Sequence, residues 1–106
     1  MPYFNEEHPL HEFNEDFYIE SGKEKEHVYI FKFNNQGAQV VLDLINSKEP
    51  LAFIYPLIFT TELSWDNDMD KKIIVLSGSK SVDDILLRIQ KELRYIKHGK
   101  ITSEDS

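Results

Sequence analysis

At 106 residues, 41% hydrophobic and 12% aromatic, the chain fits one small domain with one modest core and is too rich in large apolar side chains for a wholly disordered protein. The lack of cysteine excludes disulfide staples, thiolate metal sites and a cysteine nucleophile. A formal net charge of −7 sets the average surface against phosphate backbones.

That charge is unevenly laid out. Residues 1–27 carry a net −6, residues 28–79 a net −2, residues 80–100 a net +3 and residues 101–106 a net −2. Such blocks suit a charged protein partner or self-association. No stretch approaches the length of apolar sequence that spans a bilayer, and MPYFNEEHPL has neither the basic start nor the apolar run of a secretory signal. A cytoplasmic protein with no membrane partner is the expectation. The Ile/Lys/Asn-rich usage fits an AT-rich bacterial, phage or viral genome.

Residues 1–15 read as an acidic N-terminal arm. Leu10, Phe13 and Phe17 are spaced three and four apart, so a short helical turn docked on the core is open to them, with Pro9 in its first turn. Residues 16–34 read as a hairpin. DFYIE leads through SGKEKE into HVYIFKF, the clearest strand signal in the chain. Tyr29, Phe31 and Phe33 share one face of that strand, and Val28, Ile30 and Lys32 share the other. Both faces are largely apolar, which predicts a central position.

Asn34 or Asn35 is placed to cap a helix over Gln36–Asn46, whose stripe is Ala38, Val41, Leu42 and Ile45. Residues 51–61 are the most hydrophobic run and predict a strand, with Pro56 demanding an edge, a bulge or a break. SWDNDMDK at 64–71 reads as a polar loop, and Lys72–Leu76 as a short buried strand. From Val82 to Lys97, the residues Val82, Ile85, Leu86, Ile89, Leu93 and Ile96 follow a helical rhythm. Ser81 can cap it with Asp84 three residues on, and Gly99 can end it. The expected fold is α+β: a small, mainly antiparallel sheet with two helices on one face, in the order β-β-α-β-β-α. The domain spans residues 16–100, and 101–106 form a frayed tail.

Few residues carry a chemical signal. Ser77-Gly78-Ser79-Lys80-Ser81 joins a strand to a helix, and Ser79, Lys80 and Ser81 offer hydroxyls and an ammonium to an anion. Its spacing is not that of a P-loop, so a plain cap and tight turn is the simpler reading. Asp66, Asp68 and Asp70 begin like a calcium loop, but Lys71 stands where glycine is needed and Ser77 where the bidentate glutamate is needed. His8, His11 and Glu12 have metal-ligand chemistry without a diagnostic spacing. No metal or other cofactor is expected.

No nucleophile, acid/base pair or metal set forms a diagnostic constellation, so the chain reads as a non-enzyme. The function expected is that of a small acidic protein-interaction or regulatory module. Its surface would be Tyr29, Phe31 and Phe33, with Trp65 and the acids Glu12, Glu15 and Asp16 at the rim. The partner would be another protein with a basic surface, or a second copy of the chain. The alternative is binding of nucleic acid or a phosphate ligand through residues 77–81 and the basic C-terminal helix, disfavoured by the overall charge.

Overall fold

Gln36–Asp43 form a strand, and that decides the architecture. Along it Ala38, Val40 and Leu42 are buried while Gln39, Val41 and Asp43 are half-buried, a period of two. The helical stripe read from the same residues is overridden by pairing on both sides and by the β-branched Val40–Val41 pair. Asn34 and Asn35 make the two-residue turn of a hairpin instead of capping a helix. Phe33 pairs with Gln36, and Asn34 has φ 63°, a left-handed backbone that asparagine tolerates well.

The structure, a computed structural model, describes residues 3–46 and 48–99. Four long strands form an antiparallel meander: β1 (Phe17–Lys23), β2 (Glu26–Phe33), β3 (Gln36–Asp43) and β4 (Leu51–Phe59). Two short strands, β5 (Trp65–Asn67) and β6 (Ile74–Leu76), pair side by side with the far edge of β4. One α-helix, α1 (Val82–His98), follows. The fold is therefore α+β with a mainly antiparallel sheet, as expected. The two-helix order is corrected: among the described residues all the strands precede a single α-helix. The expectation for the tail 101–106 lies outside the described residues.

Pro56 sits inside β4, opposite Ala38 of β3. Its carbonyl accepts the Asp68 N–H at 2.9 Å, on the side away from β3. N–H and C=O of one strand residue point the same way, so the missing donor faces the gap between β5 (opposite 57–59) and β6 (opposite 52–54). No ladder bond is lost there.

The core lies on one face of the sheet, here called the inner face. Tyr29, Phe31 and Phe33, then Ala38, Val40 and Leu42, then Ala52, Ile54 and Leu76 pack against Ile85, Leu86, Ile89 and Leu93 of α1. The helix crosses β3, β4 and β6. Its start is capped by Ser81, whose side chain accepts the Asp84 N–H at 3.1 Å, and Gly99 ends it with φ 79°.

The area of β2 left bare by the helix is covered by the N-terminal segment. A 3-10 helix, His11–Asp16, seats Phe13 in the core, and Leu10 and Phe4 are buried beside it. The Asn14 amide clasps the Phe4 backbone from both sides, at 2.8 Å each.

Candidate functional site

Among the described residues, the other, outer face of the sheet carries no helix. Cross-strand partners define its rows. Val28 opposes Val41, Val41 opposes Phe53, and Phe53 opposes Val75, so one apolar rung crosses β2, β3, β4 and β6. The next rung is Ile19, Ile30, Gln39 and Tyr55. Ile19 is 48% exposed and Val75 57% exposed, while Val28, Val41, Phe53 and Tyr55 are half-buried. A contiguous apolar surface of this kind is uncommon on a lone monomer.

Charged side chains stand beyond the two rungs at opposite ends of the face, three at one end and Lys32 at the other. Beyond the Val28 rung stand Lys23, Glu26 and Asp43. Beyond the Ile30 rung stand Lys32, Gly37 and Leu57. Lys32 is half-buried, its ammonium 5.4 Å from the centroid of the Phe59 ring. Among the described residues neither Lys32 nor Glu26 has an ion-pair partner.

The Lys32 end of this face holds a second, smaller core. Ile30, Leu57 and Phe59 are buried there, with Tyr18 and Trp65 packed against them. Tyr18 reaches Phe59 and Trp65 at ring distances of 5.7 and 5.4 Å, and its hydroxyl donates to the Glu62 carbonyl at 3.0 Å. On a flat sheet β1 and β4 would lie about 14 Å apart, three strand spacings. A bulge at Tyr18, where the register shifts between Phe17 and Ile19, bends β1 toward that contact. Trp65 is thus a half-buried lid on this cluster.

The other residues singled out in the sequence fall elsewhere. Tyr29, Phe31 and Phe33 are 7%, 0% and 7% exposed, on the inner face beneath the helix and the N-terminal segment. They build the chain's own core and present no surface in this fold. Glu12 and Asp16 are engaged within the chain. Arg94 of α1 grips Glu12 with two bonds, Nη2 to Oε1 at 2.6 Å and Nε to Oε2 at 2.8 Å, and Lys97 meets Asp16 at 2.8 Å. Gln90 adds a bond to the Pro9 carbonyl at 2.7 Å. The acidic and basic blocks of the sequence therefore meet each other. Glu15 is exposed on the 3-10 helix. Arg94 holds the Glu12 carboxyl below its ordinary range, first through their hydrogen bond and then through its charge, against the opposing effect of burial.

The turn at 77–81 is filled from inside. Arg88 Nη1 donates to the Ser77 carbonyl at 2.7 Å and to Ser79 Oγ at 2.8 Å, and Ser79 is buried. Ser81 is the helix cap, and Lys80 is exposed. With Arg94 and Lys97 also held, the basic face of α1 has few cations left to offer.

The aspartate loop binds itself: Asp68 Oδ1 accepts the Asp70 N–H at 3.1 Å, and Lys71 stands 3.8 Å from Asp68. His8 leans on the Phe4 ring, and its Nδ1 accepts the Leu10 N–H at 3.1 Å. Among the described residues no group of three or more potential ligands is placed to hold a metal ion, and no helix is long and apolar enough to cross a membrane.

Neither family models nor curated proteins nor solved structures give a match to this chain. The candidate site rests on its own geometry. Its outer-face residues were partly legible beforehand: Val28, Ile30 and Lys32 follow from alternation in β2. Val41, Phe53, Tyr55 and Val75 were missed. The signal for Val41 was the alternation Ala38-Gln39-Val40-Val41-Leu42-Asp43, and the signal for Phe53 was the same alternation on either side of Pro56.

Proposed function

We propose that this chain is a small binding module that works through the outer face of its sheet, by association and not by catalysis. The observation that carries the reading is the rung Val28–Val41–Phe53–Val75 with Ile19 and Tyr55 beside it: apolar side chains from five strands over which, among the described residues, no helix or further strand is laid. The partner surface is apolar, and it presents one carboxylate-bearing region to the ammonium of Lys32. A regulatory role by occlusion follows if that partner has its own active surface beneath the contact.

The test uses Ile19→Lys together with Val75→Lys. Both side chains are about half exposed already, so the substitutions leave the thermal midpoint nearly unchanged. The wild-type chain, tagged and recovered from its source cell, is expected to retain a stoichiometric companion, a second copy included, and the double variant is expected to lose it. Equal recovery with both chains removes the outer face as the binding surface.

A further inference from the structure

We infer that the occupant of the outer face is a second copy of this chain, packed sheet to sheet about a two-fold axis that runs across the strands. The inference rests on the reading above that this face binds, and it names the partner.

The charges at the two ends of the face point to this partner. Glu26 and Lys32 lie on the same face of β2, six residues apart, with Val28 and Ile30 between them. At ~3.3 Å per residue they are about 20 Å apart along the strand. A two-fold axis perpendicular to the strands, passing between the Val28 and Ile30 rungs, turns one copy end for end over the other. It places the row Lys23–Glu26–Asp43 of one face, net acidic by one charge, over the Lys32 end of its partner, with Glu26 on the same strand as Lys32. Two equivalent lysine–carboxylate contacts then close the interface, one at each end. Like ends do not meet. A two-fold axis along the strands would instead keep like ends together, the Lys32 end over the Lys32 end and the Glu26–Asp43 end over its own copy, and would form no lysine–carboxylate contact across the interface.

The apolar middle matches in the same arrangement. Each Val28–Val41–Phe53–Val75 rung meets Ile19 and Tyr55 of the other copy's next rung, where Ile30 is already buried in the second core. Aligned sheets pack about 10 Å apart at roughly −30°, which keeps Lys32 over the Glu26 row of the other copy. The raised wall of Tyr18 and Trp65 stands at one end of each face, where the open end of the other copy has none to collide with.

The open part of the face is modest: four rows ~6.6 Å apart, from Glu26 to Lys32, on strands ~4.8 Å apart frame about 20 × 20 Å in plan, the scale of a concentration-dependent contact and below the ~800 Å² per partner of a standard stable complex. The acidic N-terminal segment docks on the inner side through Phe4, Leu10 and Phe13, and Glu12 and Asp16 are paired there with α1, so these carboxylates are kept from the contact.

The experiment is a charge-swap mixture followed by sedimentation equilibrium and native mass spectrometry. The wild-type chain is expected to be dimeric toward high concentration. Lys32→Glu alone and Glu26→Lys alone are each expected to weaken the dimer about tenfold or more. An equimolar mixture of the two variants is expected to form a mixed dimer. At one end of that dimer the carboxylate introduced at position 32 faces the ammonium introduced at position 26, and at the other the unaltered Lys32 faces the unaltered Glu26. This rescue separates interface charge from loss of fold, which a thermal melt of each variant also monitors. A wild-type chain that stays monomeric throughout, single variants that dimerise like wild type, or a mixture that stays monomeric overturns the second-copy assignment. A monomeric wild-type chain that still recovers a different protein, lost in the Ile19→Lys/Val75→Lys variant, overturns it while leaving the binding face standing.

Discussion

The Phe59 ring lies on the Gly37 backbone, with its Cε1 2.7 Å from where a Gly37 side-chain carbon would stand. Gly37 belongs to β3, between Lys32 of β2 and Leu57 of β4, and its missing side chain leaves room for the aromatic cluster of the outer face. The same added carbon would also strike the Phe31 carbonyl oxygen. Gly37→Ala is therefore expected to destabilise the fold by about 1–3 kcal/mol, read as a lowered urea midpoint. Combining it with Phe59→Leu should recover part of that loss, because the ring can be replaced and the Phe31 backbone cannot. A neutral Gly37→Ala would mean that the ring does not sit where the second core requires it.

This pair also marks how far the sequence could be read. The capped helix was legible because Ser81, the apolar rhythm from Val82 to Ile96 and Gly99 agree with one another. The central place of β2 was legible from its two apolar faces. The strand at 36–43 was not, because Ala38, Val41, Leu42 and Ile45 satisfy a helical stripe as well as Ala38, Val40 and Leu42 satisfy an alternating one. Pairing to β2 and β4 breaks that tie, and pairing is non-local. For the same reason the choice between the two faces of β2 was hidden. Phe31 is buried because Phe4 and Phe13 of the N-terminal segment, distant in sequence from the strands that flank β2, lay their rings against it. With one fewer helix than expected, the surface shifts from the Phe31 face to the Val28 face.

The clamp between the N-terminal segment and α1 gives a second prediction. Arg94 and Glu12 form a bidentate but exposed pair, so Glu12→Gln is expected to cost only about 0.5–1 kcal/mol, less at high salt. Its pH dependence has a definite sign. The Glu12 carboxyl is held below its ordinary value of 4.5, so the folded state binds its proton less readily than the unfolded chain. The stabilisation is complete above that ordinary value and disappears as the pH falls through the lowered one. Comparing acid melts of wild type and Glu12→Gln checks this: the two curves should converge at low pH. Curves that stay parallel would show that the pair does not stabilise the fold through its charge.

His8 supplies a pH dependence nearer neutrality. Burial against Phe4 lowers its pKa from 6.5, with Asp83 pulling weakly the other way. Its Nδ1 accepts the Leu10 N–H, a bond that the doubly protonated ring cannot make. The unfolded chain therefore takes up this proton first. Stability contributed by His8 is complete above pH 6.5 and declines as the pH falls toward the lowered value, then levels. His8→Asn keeps an acceptor for Leu10 and cannot titrate. It is expected to flatten the slope of the thermal midpoint between neutral and mildly acid pH. An unchanged slope would assign that dependence to other groups.

At the alkaline end the relevant group is Tyr29. Burial, with smaller effects from Tyr3 and Glu20, pushes its phenol from 10.0 up to about 12. Here the folded state holds the proton more tightly than the unfolded chain. The stabilisation is present below the ordinary tyrosine range and is lost as the pH rises through about 12. Phe4 and Phe17 pack around this ring at 5.6 and 6.3 Å, so Tyr29→Phe preserves the packing while removing the ionisable hydroxyl. In an ultraviolet titration the wild-type chain is expected to show Tyr29 ionising last, after Tyr3, whose phenol burial and Glu20 also raise, together with loss of near-ultraviolet dichroism. Tyr29→Phe is expected to lose that late step and to hold its fold to higher pH. Survival of the late step in the variant would move it to another tyrosine and weaken the case that the inner face of β2 is sealed by the N-terminal segment.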